Sequence, residues 1–480
     1  MSAKKKKSNC SNCKRLEKRL EKLEAKLSKL ESQLAKAKKN SSNSSKPPSS
    51  DIVNPKSSSS SDGQSSGAKT TDKKRTRGGQ PGHTRHERPP FRPDEIDNTW
   101  IYFYEACPCC GGKLVETDAP DKVLQQVDLA SLPITVEEHR RLTQQCSQCG
   151  KQHCIRWPDD LKKAGLVGPR LTALVGYCKS ACHMSFTSIR KFLRDVVQVT
   201  ISRGQLRKVV AKVADSILDP YEQLLAMLPG QERLNVDETG HKENGKRLWT
   251  WCFRAALFTV YKISPSRGSQ VLVEVLGEEF NGVLGCDYFS AYRKYMKDFN
   301  VVVQFCLAHF IRDVKFLATH PNKQNREHGE RLLEHLRKLF KTLHRRDEYA
   351  TEAGFRNALT RIRNDMVHDA IMESPGTREA DNLGDRFVEH FESYFTFITT
   401  PGVEPTNNLA EQAIRFVAIH RRMTQGTRSE NGRSWCERIW TVITTCEQQS
   451  RSVFDYLTDA VAAHFSGNPF PSLIATQDSS

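Results

Sequence analysis

Six leucines near the start of the chain, Leu16, Leu20, Leu23, Leu27, Leu30 and Leu34, alternate spacings of four and three. Lys and Glu fill most of the places between them, so the pattern predicts an amphipathic helix with an a/d seam of almost three heptads. A lone helix of this length is marginal, which makes residues 1–40 a leucine-zipper-like coiled coil for self-association; a helix docked on its own body is the alternative. The periodicity stops at Ser41. Between Ser41 and Ser66, 13 of 26 residues are Ser, with Pro47 and Pro48 among them. Such a stretch cannot bury enough apolar surface to order itself. It runs into KKRTRGGQPGHTRHERPPFRP, a basic arm broken by Gly and Pro, and together these make 41–98 a disordered linker and arm.

Helical spacing returns within 161–229. Leu171, Leu174 and Val175 share one face, and SFTSIRKFLRDVVQVTISRGQLRKVVAKVADSIL holds two helical patterns joined by VQVTIS. Ser202 is a good N-cap for the second of them. After Pro229 alternation takes over. RLNVDETG, RLWTWCFRAA and LFTVYKISPSRG read as a three-stranded meander, and SQVLVEVLGEEF as a helix. NGVLGCDYFSAY reads as a fourth strand ending at Asp287, RKYMKDF as a short helix, and NVVVQFCLAHF as a fifth strand ending near His309. Three antiparallel strands followed by α/β units is the order of a ribonuclease-H-like sheet. Stripes at Leu332, Leu336, Leu339 and Leu343, at Phe355, Leu359, Ile362 and Met366, and from Leu383 through Phe387 to Phe391 predict a helical insertion over 312–400. A further helix begins at Asn408. The expected architecture is thus an α/β ribonuclease-H-like core (230–311 and 401–450) with an α-helical insertion, closed by a C-terminal helix and tail (451–480).

Charge adds a partner. The chain carries 73 Lys+Arg against 56 Asp+Glu, net +17, and residues 1–100 alone hold 24 against 11. A basic, mobile end favours a polyanion, and nucleic acid is the commonest. Arg75, Arg77 and Arg85 in the arm suit phosphate neutralisation or minor-groove insertion. Arg203, Arg207 and Lys208 stand at the start of the second helix of the 161–229 pair, where a helix-turn-helix places its reading residues. A solvated charge run and two packed helices without a DNA role are the plainer readings. The basic N-terminus has no apolar stretch behind it, and no apolar run approaches the length of a membrane span, so the reading is a cytoplasmic, nucleoid-associated protein with no membrane partner.

Among 15 cysteines, Cys107-x-x-Cys110 and Cys146-x-x-Cys149 form two knuckles, each followed by glycine. Four thiolates in two tight pairs predict one structural, tetrahedral Zn²⁺ in a module over 99–160, with Cys109 and Cys154 as possible substitutes.

The acidic positions carry the candidate chemistry. In the ribonuclease-H-like order the first and fourth strands lie side by side, which brings Asp237 and Asp287 to one end of the sheet. Facing carboxylates repel unless a cation joins them, and oxygen ligands favour Mg²⁺ or Mn²⁺. A third carboxylate is expected from a helix crossing the sheet, and Glu411 is its candidate. Asn408 and Glu411 are also spaced as a capping box, in which Glu411 would only tie down its own helix. Glu238 reads as a turn or supporting residue. Arg415, Arg421 and Arg422 follow Glu411 at distances suited to phosphates, or form a solvated face.

VDETG, CDYFSAY, CLAHFIRDVKF and TNNLAEQAIR resemble the D-E-T-G, D-G-Y, C-W-A-H-x-R-R-K-F and N-N-x-A-E-R-A-x-R blocks of the insertion sequence 66 family of transposases. RGGQPGH, NSSKPPSSD and the paired Cys knuckles are similar to that family's N-terminal region, and the blocks run in the family's order over about residues 10 to 450. The chain departs from the pattern at Tyr288, at Gln412 and in the run HRRMTQGTRS. The resemblance implies that Asp237, Asp287 and Glu411 are the D, D and E of a DDE transposase. Two Mg²⁺ (or Mn²⁺) per active site, about 3.5–4 Å apart, would then serve in-line phosphoryl transfer. It also implies terminal inverted repeats and target DNA as partners, and accessory proteins of the same element. A repurposed, inactive transposase acting as a DNA-binding protein, and a ribonuclease-H-like nuclease that cuts without joining, are the other readings.

Overall fold

The computed structural model describes residues 11–39, 90–96, 99, 101, 109–110, 124–125, 134–145, 147 and 152–474. Residues 57–138 form one unit, and 1–56 with 139–480 form another. In the former, the described residues include a short turn at Pro93–Glu95 and a main-chain clasp in which the Gln125 side chain both accepts from the Phe91 N–H and donates to its carbonyl. The arm residues Arg75, Arg77 and Arg85 and the knuckle residues Cys107, Cys146 and Cys149 lie outside the described residues; Cys110 is exposed.

The larger unit opens with helix α1 (Ser11–Ala37). Its six seam leucines are all exposed, from 47% at Leu34 to 62% at Leu16. The periodicity is therefore legible as a helix, and among the described residues nothing covers the seam. A two-stranded hairpin, β1 (Thr143–Gln145) and β2 (Gln152–Cys154), precedes α2 (Asp159–Ala164), α3 (Pro169–Ser180), α4 (Phe186–Asp195), α5 (Arg203–Ser216) and α6 (Leu218–Met227). Ser202 caps α5 as expected, its Oγ accepting the Gln205 N–H at 3.1 Å. Leu206, Val209 and Val213 are buried on one side of α5, which leaves Arg203, Arg207 and Lys208 exposed on the other.

The sheet follows from strict alternation. In β3 (Arg233–Glu243) Leu234, Val236 and Glu238 are buried on one face, while Asn235 and Asp237 point to the other, as the two-residue period of a strand requires. Asn244 and Gly245 both take positive φ and turn the chain back into β4 (Lys246–Arg254), the conformation an Asn-Gly hairpin loop supplies at least cost. β5 (Thr259–Ser264) completes the meander. Helix α7 (Gln270–Leu276) leads to β6 (Val283–Cys286), and α8 (Ser290–Phe299) leads to β7 (Val302–Phe305). The order is β5-β4-β3-β6-β7, antiparallel through the meander and parallel from β3 to β7. First and fourth strands of the core are neighbours, as expected, and this mixed five-stranded sheet is compatible with a ribonuclease-H-like core.

The fifth strand is shorter than its apolar run suggests. It stops at Phe305, and α9 (Leu307–Ala318) begins at once, because the Leu307 N–H is drawn to the Pro405 carbonyl at 2.9 Å. His309 consequently sits in the first turn of a helix rather than at a strand end. The expected insertion is helical: α10 (Lys323–His344), α11 (Glu352–Met372) and α12 (Arg378–Thr399). α12 departs from helical geometry at His390 and Phe395. Gln304, buried on β7, fills the break by donating to the Tyr394 carbonyl and accepting the Phe397 N–H, while Thr396 Oγ1 donates to the Val303 carbonyl.

The chain then enters α13 (Asn408–Thr424), which packs on β3 and β4, α14 (Glu430–Gln448) and α15 (Val453–Ser466), which packs on α3 and α5. α14 lies along the free edge of β5. Its Glu437, Thr441 and Thr445, one turn apart, accept the N–H groups of Ile263, Tyr261 and Thr259 at 2.6, 3.1 and 3.1 Å. A strand edge that would expose its donors is thus satisfied by side chains. Thr441→Val leaves the buried Tyr261 N–H without a partner and should cost about 1–3 kcal/mol, read as a lower denaturation midpoint in urea.

Two buried imidazoles flank α14. His420 meets His183 Nδ1 to Nδ1 at 3.1 Å and lies edge-on to Trp440, while His241 bonds Thr427 Oγ1 at 3.1 Å. Burial lowers the pKa of His420 to about 3, helped by Lys179, and that of His241 to about 4, helped by Arg421. Both are protonated more readily in the unfolded chain, so their contribution is present above pH 6.5 and is lost as pH falls from there towards 4. Each removes about 1.4 kcal/mol per pH unit in that window. Denaturation midpoints measured at descending pH should show this slope, and His420→Gln should roughly halve it, leaving the His241 contribution.

Candidate active site

Asp237 and Asp287 meet because of strand register. Arg233 pairs with Val283, Leu234 with Leu284 and Asn235 with Gly285. The same offset carried two residues on puts Asp237 level with Asp287, just past the last residue of β6. Asp287 Oδ1 accepts the Phe289 N–H at 2.9 Å at the start of α8, and Asp237 Oδ1 accepts the Glu238 N–H at 2.9 Å. Burial drives the Asp237 carboxyl well above its usual range, and Glu238, Asp287 and Glu411 add repulsion. Burial also raises Asp287, against the pull of His309, the Phe289 N–H and Arg267.

Adjacent Glu238 belongs to the opposite face. Its side chain is 1% exposed and its carboxylate is fully engaged: Oε1 accepts Arg267 Nε and Nη2 at 2.9 and 2.7 Å, and Oε2 accepts the Tyr292 hydroxyl at 2.5 Å. Its pKa is pushed up to about 7, first by burial and then by Asp287, with Tyr292 and Arg267 opposing. The Arg267 guanidinium lies 3.9 Å from the centre of the Phe289 ring and 4.5 Å from that of Trp249, which Arg247 approaches at 4.5 Å. Glu238 therefore anchors the strand that delivers Asp237, as a supporting group.

Glu411 reaches the same face as Asp237 from α13. Asn407, 1% exposed, holds the start of this helix: its Nδ2 donates to the Val236 carbonyl at 2.8 Å, its Oδ1 accepts Asn235 Nδ2 at 2.9 Å, and its N–H points at Cys306 Sγ at 3.1 Å. The capping-box alternative is absent. Asn407 occupies the N-cap position without a side-chain cap bond, and the Glu411 carboxylate turns instead to His309 Nδ1 at 3.4 Å and Arg312 Nη2 at 3.3 Å. Glu411 Oε1 and His309 Nδ1 are both buried with no hydrogen-bond partner.

Among the described residues, the three-residue set whose candidate ligand atoms all lie within 4.8 Å of one another is Cys306, His309 and Glu411; Asp237 and Asp287 stand outside it. The chemistry of the whole cluster fits a divalent cation. Carboxylates held above their usual pKa by burial and mutual repulsion, with a buried carboxylate oxygen left unpaired, are stabilised by a positive charge among them.

Of the cationic residues expected near Glu411, Arg415 and Arg422 are exposed. Arg421 is half-buried and braces β3, donating to Thr239 Oγ1 at 3.1 Å and to the Gly240 carbonyl. Sequence spacing offers Asn407 as a cap for the helix but gives no role to Arg267, Tyr292 or Arg312. CLAHFIRD places Arg312 one turn after His309, and CDYFSAY ends on Tyr292, but neither spacing shows what these side chains hold.

The Transposase IS66 family model matches residues 164–434, more than half of the chain and the whole of the site. A second model, a family of unknown function (DUF6444), matches residues 9–89. The chain is 22% identical over 408 residues to the uncharacterized protein y4hP of Sinorhizobium fredii (strain NBRC 101917 / NGR234), covering 77% of this chain and 73% of that one. No helix among the described residues is long and apolar enough to cross a membrane. With the core strands, the acidic cluster and α13 all inside the matched span, the chain belongs to the IS66 family of transposases.

Proposed function

We propose that the protein cleaves DNA at the ends of its element and joins them to a target, with Asp237, Asp287 and Glu411 as the metal-holding triad of a ribonuclease-H-like core. The observation that carries this is the convergence of Asp237, Asp287 and Glu411, from β3, the end of β6 and α13, close enough for each aspartate's ionisation to be opposed by its acidic neighbours. Bound there, two Mg²⁺ or Mn²⁺ would activate the attacking oxygen and neutralise charge on the leaving one. The protein's own task is positioning. Arg267 and Tyr292 fix Glu238 and with it the end of β3, Asn407 fixes the start of α13, and His309 with Arg312 aims the Glu411 carboxylate. The exposed Arg415 and Arg422 of α13 are assigned to phosphates.

DNA capture belongs to the basic surfaces: Arg203, Arg207 and Lys208 on the outer face of α5, and Arg75, Arg77 and Arg85 in the arm. Residues 99–160 with Cys107, Cys110, Cys146 and Cys149 are assigned one structural zinc. The solvent-facing leucine seam of α1 is assigned to pairing with a second copy, since six large apolar residues in a row on an otherwise charged helix are stabilised by a like seam. Incubation with element ends, a plasmid target and Mn²⁺ tests the whole reading. Joined products support it, nicks without joining support a nuclease, and binding without cleavage supports a repurposed DNA-binding protein. End binding should weaken with salt, log K falling by roughly 0.9 per phosphate neutralised for each tenfold rise in salt; a flat response in a filter-binding titration would remove the arm and α5 from the DNA interface.

A further inference from the structure

Cys306 is 2% exposed and closes β7, and its sulfur already accepts the Asn407 N–H. A backbone N–H aimed at a buried sulfur suits a thiolate that ligates a metal, and equally a sulfur that merely holds a helix start. The two cases separate at the neighbours. Capping leaves unexplained why His309 Nδ1 and Glu411 Oε1, both buried, face each other at 3.4 Å with no other partner. Sulfur, imidazole nitrogen and carboxylate oxygen, all within 4.8 Å of one another, are a donor set for a borderline cation rather than for Mg²⁺. Atoms bound tetrahedrally to one zinc at about 2.0–2.3 Å lie about 3.3–3.6 Å apart, so side-chain shifts on the order of 1 Å close the set.

We propose that Cys306, His309 and Glu411 form a zinc site, separate from the Cys107–Cys149 knuckles, whose occupation withdraws Glu411 from the Asp237–Asp287 pair. Zinc binding at these three residues stands on their geometry alone. Its consequence, inhibition of DNA cutting by zinc, rests on the transposase reading above.

Equilibrium dialysis of the full chain against buffered Zn²⁺ tests the site. Cys306→Ser and His309→Ala should each bind one zinc fewer per chain than the wild type, or bind it at least roughly tenfold more weakly. Ser is itself a good N-cap, so Cys306→Ser retains the helix start, and a wild-type circular dichroism spectrum confirms it. Co²⁺ substitution gives a second reading: the thiolate charge-transfer absorption per chain should fall further in the Cys110→Ser, Cys306→Ser double variant than in Cys110→Ser alone. Folded variants of both Cys306 and His309 that keep the wild-type stoichiometry and affinity overturn the proposal. In the cutting assay, each variant relative to its own zinc-free rate should tolerate roughly tenfold more zinc. Absence of cutting by every protein, including the wild type, strikes the transposase chemistry, while the dialysis result still decides the zinc site.

Discussion

Asp287→Ala and Asp237→Asn should each cut element ends at least about a thousandfold more slowly than the wild type while binding those ends almost as well. The reaction proposed here depends on charge stabilisation at the reacting phosphate, and losing one well-placed electrostatic contributor typically costs two to three orders of magnitude. Removing a carboxylate that holds a cation costs at least as much. The proposed function assigns binding elsewhere, to the exposed cations on α5 and α13 and to the basic arm. Stability supplies an internal control. Asp237 sits where burial and three acidic neighbours disfavour its charge, so the isosteric amide should leave the metal-free protein as stable as the wild type or more so, by about 1 kcal/mol. A variant that melts at or above the wild-type temperature, binds DNA and fails to cut cannot be dismissed as misfolded. Cutting within about tenfold of the wild type by either variant removes that aspartate from the reaction.

Asn407→Ala should lower stability by about 2–4 kcal/mol and slow cutting as well. Asn407 is almost completely buried, and its amide both donates to the Val236 carbonyl and accepts from Asn235. Truncation leaves two buried polar groups unsatisfied, each costing roughly 1–3 kcal/mol. The same bonds lock the start of α13 to β3, four residues ahead of Glu411, so the loss reaches the site as a displaced carboxylate. Urea denaturation and a single-turnover cutting assay at low temperature measure the two effects separately. A stability change under about 0.5 kcal/mol would mean that the two backbones hold position without this side chain.

Much of the site was legible because it rests on short-range patterns. Alternation within RLNVDETG places Asp237 and Glu238 on opposite faces, and the meander-then-α/β order makes β3 and β6 neighbours, which aligns Asp237 with Asp287. Ser202 declared its helix start by residue type alone. Glu411 shows where spacing runs out. Capping box and cluster ligand share one pattern, and the choice between them is made by His309 and Arg312, about a hundred residues earlier in the chain. Arg267 and Tyr292 were illegible for a related reason: one sits in the segment after β5 and the other on α8, and only the closed fold brings both to Glu238. Neither Pro nor Gly marks the breaks at His390 and Phe395. They are imposed by the packing of α12 on β7 and made tolerable by Gln304.

Both borders of the five-stranded sheet are occupied by helices, α14 along one and the broken end of α12 along the other. Among the described residues, helix side chains thus take the outward N–H groups of Thr259, Tyr261 and Ile263 on one flank and the Val303 carbonyl on the other, where a neighbouring molecule's strand would otherwise pair. If copies gather at two DNA ends as proposed, this sheet would offer them helix sides and not strand edges, and crowding them on one substrate would not invite fibrous stacking through it.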